Sequence, residues 1–412
     1  MDRSILHIDV NNAFLSWTAA FMLKEGYPID IRTIPSIIGG DEERRSGIVL
    51  AKSPIAKKFG IITGEPIYFA KKKCNKLEIF PGNFEIFNDY SNRLYKLFLE
   101  YTDKVERFSI DECFLDLTGY MQGRRLMEIA EEIHNRVKEE LGFTVNIGVS
   151  QNKLLAKMAS DFEKPDKIHT LYEYEVEDKM WPLPVSELFM IGKKTVPKLI
   201  RLGIKTIGDL AKYNKEELFK RFGKHGLLMW NYANGIDDEE VKFEQELPKS
   251  IGNSVTVPND LTNIEQIEKI LVALSEQVSF RLRKYNLVAQ TVNVQLRNSN
   301  FKDISHQKQL ICQTASTKEI LKTAKEILYE MYNKNEQIRL VGLRVDNLVD
   351  KDSDNQISLF ENTTNFQKQE KLDAVIDNLK KQYGFSMVTR AGDLDVKRIV
   401  EDKHQKFKNK NM

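Results

Sequence analysis

The chain has 412 residues, enough for two to four domains with sizeable cores. Its 62 lysines and arginines stand against 60 acids, a formal charge of +2, which neither demands nor excludes nucleic acid because local basic faces vanish in the sum. Cys74, Cys113 and Cys312 are too scattered for a disulfide framework or zinc site and suit free thiols in a reducing cytoplasm; ILHIDV, broken by Asp9, is no signal peptide, and no apolar stretch approaches the ~20 residues of a membrane span.

Residues 4–10, SILHIDV, read as a buried strand ending at an acid, and AFLSWTAAFMLKEG as a helix closed by Gly26. Residues 30–78 mix short β-like runs with a basic helix, SPIAKKFG. In residues 88–101, Tyr90, Leu94, Leu97, Phe98 and Tyr101 recur at helical spacing. RFSIDECFLDLTG, residues 107–119, then sets Asp111 beside Glu112 in an apolar, β-prone run. Neighbours on a regular strand point to opposite faces, so the two acids converge only where alternation breaks, as at a hairpin tip. That gives one strand over residues 104–108, SIDE as the tip, and a return strand over residues 113–118. By itself the acid pair fits half of a divalent-cation site or a solvated turn. A helix over residues 127–141, a strand over 144–150 and the helix NKLLAKMASDF follow. The order is that of a ferredoxin-like sheet with helices on one face and an inserted lobe of about 50 residues.

Near residue 166 the texture changes. Residues 186–212 predict two short helices around a Gly-bearing turn, then a second turn at LGIKTIG. An acidic linker ends at Pro248. Residues 250–348 read as βαββαβ. In AQTVNVQLRN, Val292, Val294 and Leu296 alternate with Thr291, Asn293, Gln295 and Arg297, so one face of that sheet is polar and open. Arg297, Lys302, His306 and Lys308 are assigned to this face. Residues 349–357 have the composition of a disordered segment. A last helix sets Leu372, Val375, Ile376, Leu379 and Tyr383 on one apolar side, before a Lys-rich end.

Asp9 ends the first strand, and a ferredoxin-like sheet would place the hairpin beside it. Three carboxylates, Asp9, Asp111 and Glu112, would then meet at one edge. Crowded carboxylates repel unless compensated, and hard oxygen ligands suit Mg²⁺ carrying substrate phosphates. Two such ions clamp both oxygens of an in-line displacement. Asp9 alone reads as a capping or turn acid; the triple is far harder to obtain by chance.

HIDVNNAF, SIDECFLDLTG, NIGVSQNKLLAKMASDFEKPD and SPIAKKFGIITGEP resemble, in kind and spacing, the Y-family (DinB/UmuC-like) translesion DNA polymerases, from residue 5 to about 348. The resemblance implies an α+β, multidomain right-hand polymerase. Its palm would be ferredoxin-like (residues 1–25 and 79–165), with small fingers (26–78) and a helix-hairpin-helix thumb (166–238). A linker (239–249), a βαββαβ little finger (250–348) and a tail (349–412) would follow. It implies two Mg²⁺ ions held by Asp9, Asp111 and Glu112, with the Val10 carbonyl as a further ligand. Asn12, Ala13, Phe14, Lys57 and Lys164 would bind the incoming dNTP. Phe14 would be the aromatic gate against a ribose 2′-OH, and the two lysines would steady the triphosphate. Without the resemblance, Phe14 reads as a core aromatic and either lysine as solvated. Pro54 and Lys57 stand where many relatives have Tyr and Arg, and Asn11 and Asn12 replace more acidic or aromatic residues. These departures bear on rate and nucleotide affinity and leave the metal ligands intact.

The turn MIGKKT resembles a helix-hairpin-helix in which Ile191, Gly192, Lys193, Lys194 and Thr195 would grip a DNA phosphate, although Met190 replaces the usual first glycine. Arg297 and Lys302 would track the primer–template on the little finger; a merely solvated sheet face is the plain reading. QISLF, residues 356–360, matches a peptide that docks bacterial polymerases on a β-type sliding clamp, through Gln356, Leu359 and Phe360. The expected function is low-fidelity, template-directed DNA synthesis past damaged bases by a cytoplasmic monomer. The alternative is a clamp-tethered DNA-binding factor with lapsed activity, against which the three acids weigh. A palm-type nucleotide cyclase shares the metal chemistry and leaves the thumb, little finger and QISLF unexplained.

Overall fold

A strand of four apolar residues and two polar ones, ILHIDV, forms the centre of the first sheet in the computed structural model. The structure describes residues 3–40, 47–243, 247–334, 336–352 and 363–383. They divide into two compact units, Met1–Gly39 with Val49–Gln245, and Gly40–Ile48 with Glu246–Met412.

In the first unit, β1 (Ile5–Val10) leads through α1 (Ala13–Lys24) into a small lobe. That lobe holds β2 (Ser36–Gly39), β3 (Val49–Lys52), α2 (Pro54–Lys58), α3 (Ile67–Lys73) and β4 (Glu78–Pro81) in a three-stranded sheet of order β3-β2-β4. Ser53 caps α2 by accepting from Ala56 N–H, and Pro54 sits in the first turn, where a missing N–H costs nothing. The chain returns through α4 (Phe84–Phe98), β5 (Val105–Arg107), β6 (Glu112–Asp116), α5 (Leu126–Arg136), β7 (Val145–Ser150), α6 (Lys153–Asp161) and β8 (Ile168–Thr170). The palm sheet runs β5-β6-β1-β7-β8, with β1 antiparallel to both neighbours. Every residue of β1 and β7 is buried, so this sheet is covered on both faces, not on one as the element order suggested. Leu6, Ile8 and Val10 fill one side, while His7 and Asp9 lie on the other, beneath α6.

The thumb has α7 (Val196–Ile200), α8 (Ile207–Ala211), α9 (Lys215–Phe222) and α10 (Lys224–Ala233) around Leu199, Ile207, Leu210, Leu218 and Met229. The first of the two helices expected around MIGKKT is only a 3₁₀ turn, Val185–Glu187. Pro184 precedes it, and Leu188 is already extended. The start of the linker is strapped to the palm: Asp237 accepts from Leu154 N–H (3.0 Å), Glu106 accepts from Lys242 N–H (2.7 Å), and Arg3 donates to the Asp237 and Glu239 carbonyls.

The second unit contains β9 (Ser250–Leu261), α11 (Ile264–Lys284), β10 (Leu287–Asn298), β11 (Asp303–Thr314), α12 (Thr317–Met331), β12 (Ile338–Asp346), β13 (Val349–Asp350) and α13 (Thr363–Tyr383). The main strands lie in the order β11-β10-β12-β9, and Val292, Val294 and Leu296 enter a core with Leu271, Leu274 and Val278. This is the expected βαββαβ plan. Two residues change sides, however. His306 and Lys308 pair with Val294 and Val292, so they stand on the helix-covered face, and Lys308 is bound by Glu326 (3.2 Å) and Glu330 (2.8 Å) of α12. β11 is an edge strand whose polar run hides its alternation.

The last helix is also turned over. Leu372 (50 % exposed), Val375 (56 %), Leu379 and Tyr383 face outward, whereas Asp373 (2 %) and Asp377 are buried. The cause is charge pairing. Arg283 of α11 binds Asp377 bidentately (2.6 and 2.8 Å) and approaches Asp373 (3.6 Å), and Lys380 meets Glu276 (3.0 Å). Among the described residues, no helix is long and apolar enough to cross a membrane.

Candidate active site

The register of β1 against β6 sets Asp9 directly opposite Glu112, so both side chains share the face beneath α6. Glu112 is therefore the first residue of the return strand and not part of the hairpin tip. Phe108 and Ser109 N–H groups both donate to the Glu112 carbonyl (3.0 and 3.1 Å), which closes the turn and breaks the alternation. Asp111 occupies that turn. Its carbonyl accepts from Val10 N–H (3.0 Å), tying it to the end of β1, and its carboxylate accepts from Ser109 Oγ (2.6 Å). The structure thus brings Asp9 and Glu112 together and joins Asp111 to Val10 through the backbone. Among the described residues, no three His, Cys, Asp or Glu side chains already converge as a metal cage.

Two ammonium groups face the acids instead. Lys164 hydrogen-bonds Asp9 Oδ2, and Lys157 lies 3.2 Å from Glu112 Oε2 and 3.9 Å from Asp9 Oδ2. Lys157 is buried and also pairs with Asp161 (3.4 Å). The two acids respond in opposite ways. Burial raises Asp9 to about 6 despite Lys164 and Lys157. Burial also acts to raise Glu112, but the neighbouring His7 imidazole and the Lys157 charge overcome it and bring the group to about 2. His7 is held down to about 4, chiefly by burial. Displacements of this size correspond to about 3 kcal/mol between the two protonation states.

Local folding explains why these groups meet. Asn152 caps α6 by accepting from Leu155 N–H (2.8 Å), which fixes where Lys157 and Ser160 fall. Asn11 and Asn146 then staple the loop after α6 to the sheet. Asn11 Oδ1 accepts from Asp166 N–H (2.9 Å), Asn11 Nδ2 donates to Asn146 Oδ1 (2.9 Å), and Asn146 Nδ2 donates to the Ser160 and Glu163 carbonyls. That loop carries Lys164. Asn11, a departure from relatives in the sequence, is thus a scaffold residue for this lysine.

Asn12 precedes α1 with a left-handed φ of 53° and donates to the Lys52 carbonyl. Ala13 is buried, and half-buried Phe14 stacks on Phe87 (4.5 Å) with edge contacts to Trp17 and Phe84. Lys57 is exposed at the end of α2. Lys52, which sequence reasoning missed, lies close enough that burial and the Lys57 charge together lower its pKa. Its signal was present: three lysines fall within seven residues, KSPIAKK. Lys157 was missed as well; Lys153 and Ser160 stand one turn to either side of it, and α6 buries all three.

In the thumb turn, Ile191 is buried while Gly192, Lys193 and Lys194 are exposed and Thr195 leads into α7. Met190 adopts φ 68°, the left-handed conformation that the missing glycine would have supplied. On the little finger, Arg297 is held by Asp303 (2.7 and 2.8 Å), and Lys302 is exposed in the following turn. Gln356, Leu359 and Phe360 lie outside the described residues.

Comparison with known proteins decides what this arrangement belongs to. Residues 8–161 match the model of the impB/mucB/samB family, residues 248–359 that of its C-terminal domain, and residues 175–204 the IMS family HHH motif. The DNA polymerase IV of Clostridium acetobutylicum is 48 % identical over 95 % of this chain and 98 % of that protein. The chain belongs to the Y family of DNA polymerases. The DNA polymerase IV of Acetivibrio thermocellus is 39 % identical (95 % of this chain, 97 % of that one), and DNA polymerase IV 1 of Bacillus subtilis 34 % (95 % and 93 %). A Y-family DNA polymerase chimera, Dbh-Dpo4(243-245)-Dbh, superimposes with a TM-score of 0.75 at 26 % identity, over 84 % of this chain and 99 % of the chimera. The Y-family chain is accordingly a DNA-directed DNA polymerase that binds DNA and deoxynucleoside triphosphates. Y-family polymerases use divalent metal ions. The donor set fits them: Asp9, Asp111 and Glu112 offer hard carboxylate oxygens, beside the end of β1 at Val10.

Proposed function

We propose that this polymerase copies past damaged template bases with low fidelity, through two Mg²⁺ ions held by Asp9, Asp111, Glu112 and the Val10 carbonyl. The observation that supports this most is the Asp9–Glu112 register pair, an acidic face already neutralised by Lys157 and Lys164. Bound divalent ions supply Lewis-acid stabilisation of the phosphoryl transfer from dNTP to a primer 3′-OH. The chain's own residues do the rest. Lys164 and Lys57 neutralise the triphosphate, with Asn12 and Ala13 beside it. Phe14, braced by Phe87 and Phe84, presents an aromatic edge against a ribose 2′-OH. Ile191 to Thr195 hold a DNA phosphate through backbone amides, and Arg297 and Lys302 follow the duplex backbone. Gln356, Leu359 and Phe360 dock a β-type sliding clamp, and the chain works as a monomer.

The test is primer extension by purified protein with Mg²⁺ and dNTPs on intact and abasic templates. Extension on both is expected. Extension on the intact template with a full stop at the abasic site would contradict the translesion reading and leave the polymerase assignment standing.

A further inference from the structure

Beneath Glu112 lies a buried imidazole that the chemistry above does not use. His7 is fully buried on β1, two residues before Asp9, opposite Phe114 on one side and Gly148 on the other. The Phe114 ring packs on it at 4.5 Å. Gly148 leaves no room for a side chain, since an added Cβ would fall 1.8 Å from the Ala156 carbonyl oxygen. α6 therefore presses directly on the sheet, which brings Ser160 to one ring nitrogen and Lys157 to the carboxylate. Nδ1 lies 2.7 Å from Ser160 Oγ. Nε2 is buried with no partner at ordinary hydrogen-bond distance, and Glu112 Oε2 stands 3.4 Å away, just past that range. Lys157 reaches the same oxygen at 3.2 Å.

We propose that His7 is a positioning residue for Glu112, donating from Nε2–H to Oε2, with Ser160 Oγ–H selecting that tautomer by donating to Nδ1. The opposite tautomer would aim a lone pair at a carboxylate and orphan a buried acceptor. Ser160 has a second acceptor in reach, the Lys157 carbonyl at 2.8 Å, so its single proton is the switch between the two arrangements. Both anchors fall on one carboxylate oxygen, which keeps the other for a cation, in the way that outer hydrogen bonds commonly orient metal ligands. The inference rests on the reading of Glu112 as a metal ligand.

Two measurements test it. Imidazole ¹⁵N NMR on the full-length, metal-free chain reads the tautomer directly; a proton on Nε2 is expected, and a proton on Nδ1 overturns the proposal without any variant. Mn²⁺ binding is then followed by electron paramagnetic resonance, on the chain with a dideoxy-terminated primer–template and dNTP. His7→Leu is expected to weaken Mn²⁺ on the order of 10–100-fold. His7→Gln, whose amide nitrogen approximates Nε2, restores most of that affinity. Equal affinity of both variants and wild type overturns the proposal, provided Glu112→Gln loses Mn²⁺. Retained Mn²⁺ affinity in Glu112→Gln removes the ligand assignment itself.

Discussion

The polymerase has two sheets that each carry a polar face, and it treats those faces in opposite ways. In the palm, His7, Asp9, Glu112 and Asn146 lie under α6, and each is held by a named partner. In the little finger, Ser254, Asn293, Gln295 and Arg344 line an open depression of about 390 Å³, with Gly252 and Gly342 at its floor. Charges out of water interact strongly and depend steeply on position, whereas exposed groups are screened and interchangeable. A reacting phosphate needs the first environment. A duplex backbone held without regard to sequence needs many weak contacts of the second kind. Single substitutions should therefore be decisive in the palm and graded in the little finger.

The largest effect expected is on chemistry. Glu112→Gln should reduce primer extension by on the order of 10³-fold or more while primer–template affinity stays within about twofold; a parallel loss of binding would erase the contrast between the two faces. Next comes selectivity. Phe14→Ala should admit ribonucleotides in extension assays with rNTPs, and unchanged dNTP preference would remove the gate.

Stability in EDTA sharpens the comparison within the palm itself. Glu112 falls from 4.5 to about 2 in the fold, so its contribution is present above pH 4.5 and lost as pH falls towards 2. Asp9 rises from 3.8 to about 6, so its contribution is present below pH 3.8 and lost as pH rises through 6. At pH 7.5, Glu112→Gln should lower the melting temperature and Asp9→Asn should raise it. Shifts of the same sign would contradict the opposed environments.

The smallest effects belong to the open face. Lys302→Ala should weaken DNA binding a few-fold and reduce the salt slope by about 1. Arg297→Ala should do less, because Asp303 already occupies its guanidinium. A larger loss at Arg297 would mean that this ion pair opens on DNA.

β1 was legible in the sequence as a short apolar run ending at an acid, the hairpin from a break in alternation, and β10 from its period of two. Position along β1 also singled out Asp9, and the broken alternation singled out Asp111, whereas Glu112 faces Asp9 through the regular register of β6. What escaped depended on a partner far away in the chain. Lys157 takes on meaning only once α6 is laid on β1, and Asn11 stands out in the sequence only as a departure from relatives until Asp166 reaches it. In α13 the periodicity was visible but its direction was not, because Arg283 and Glu276 draw the polar stripe inward and leave Leu372 and Val375 outside. His306 and Lys308 sit on a polar edge strand that gives no cue to its own faces.

The most direct test of the central claim, that chemistry resides in the palm acids and grip elsewhere, is Asp111→Ala assayed side by side for primer extension and primer–template affinity. Extension abolished with affinity unchanged is the predicted result. Near-normal extension by that variant would contradict the assignment of the hairpin acids to catalysis.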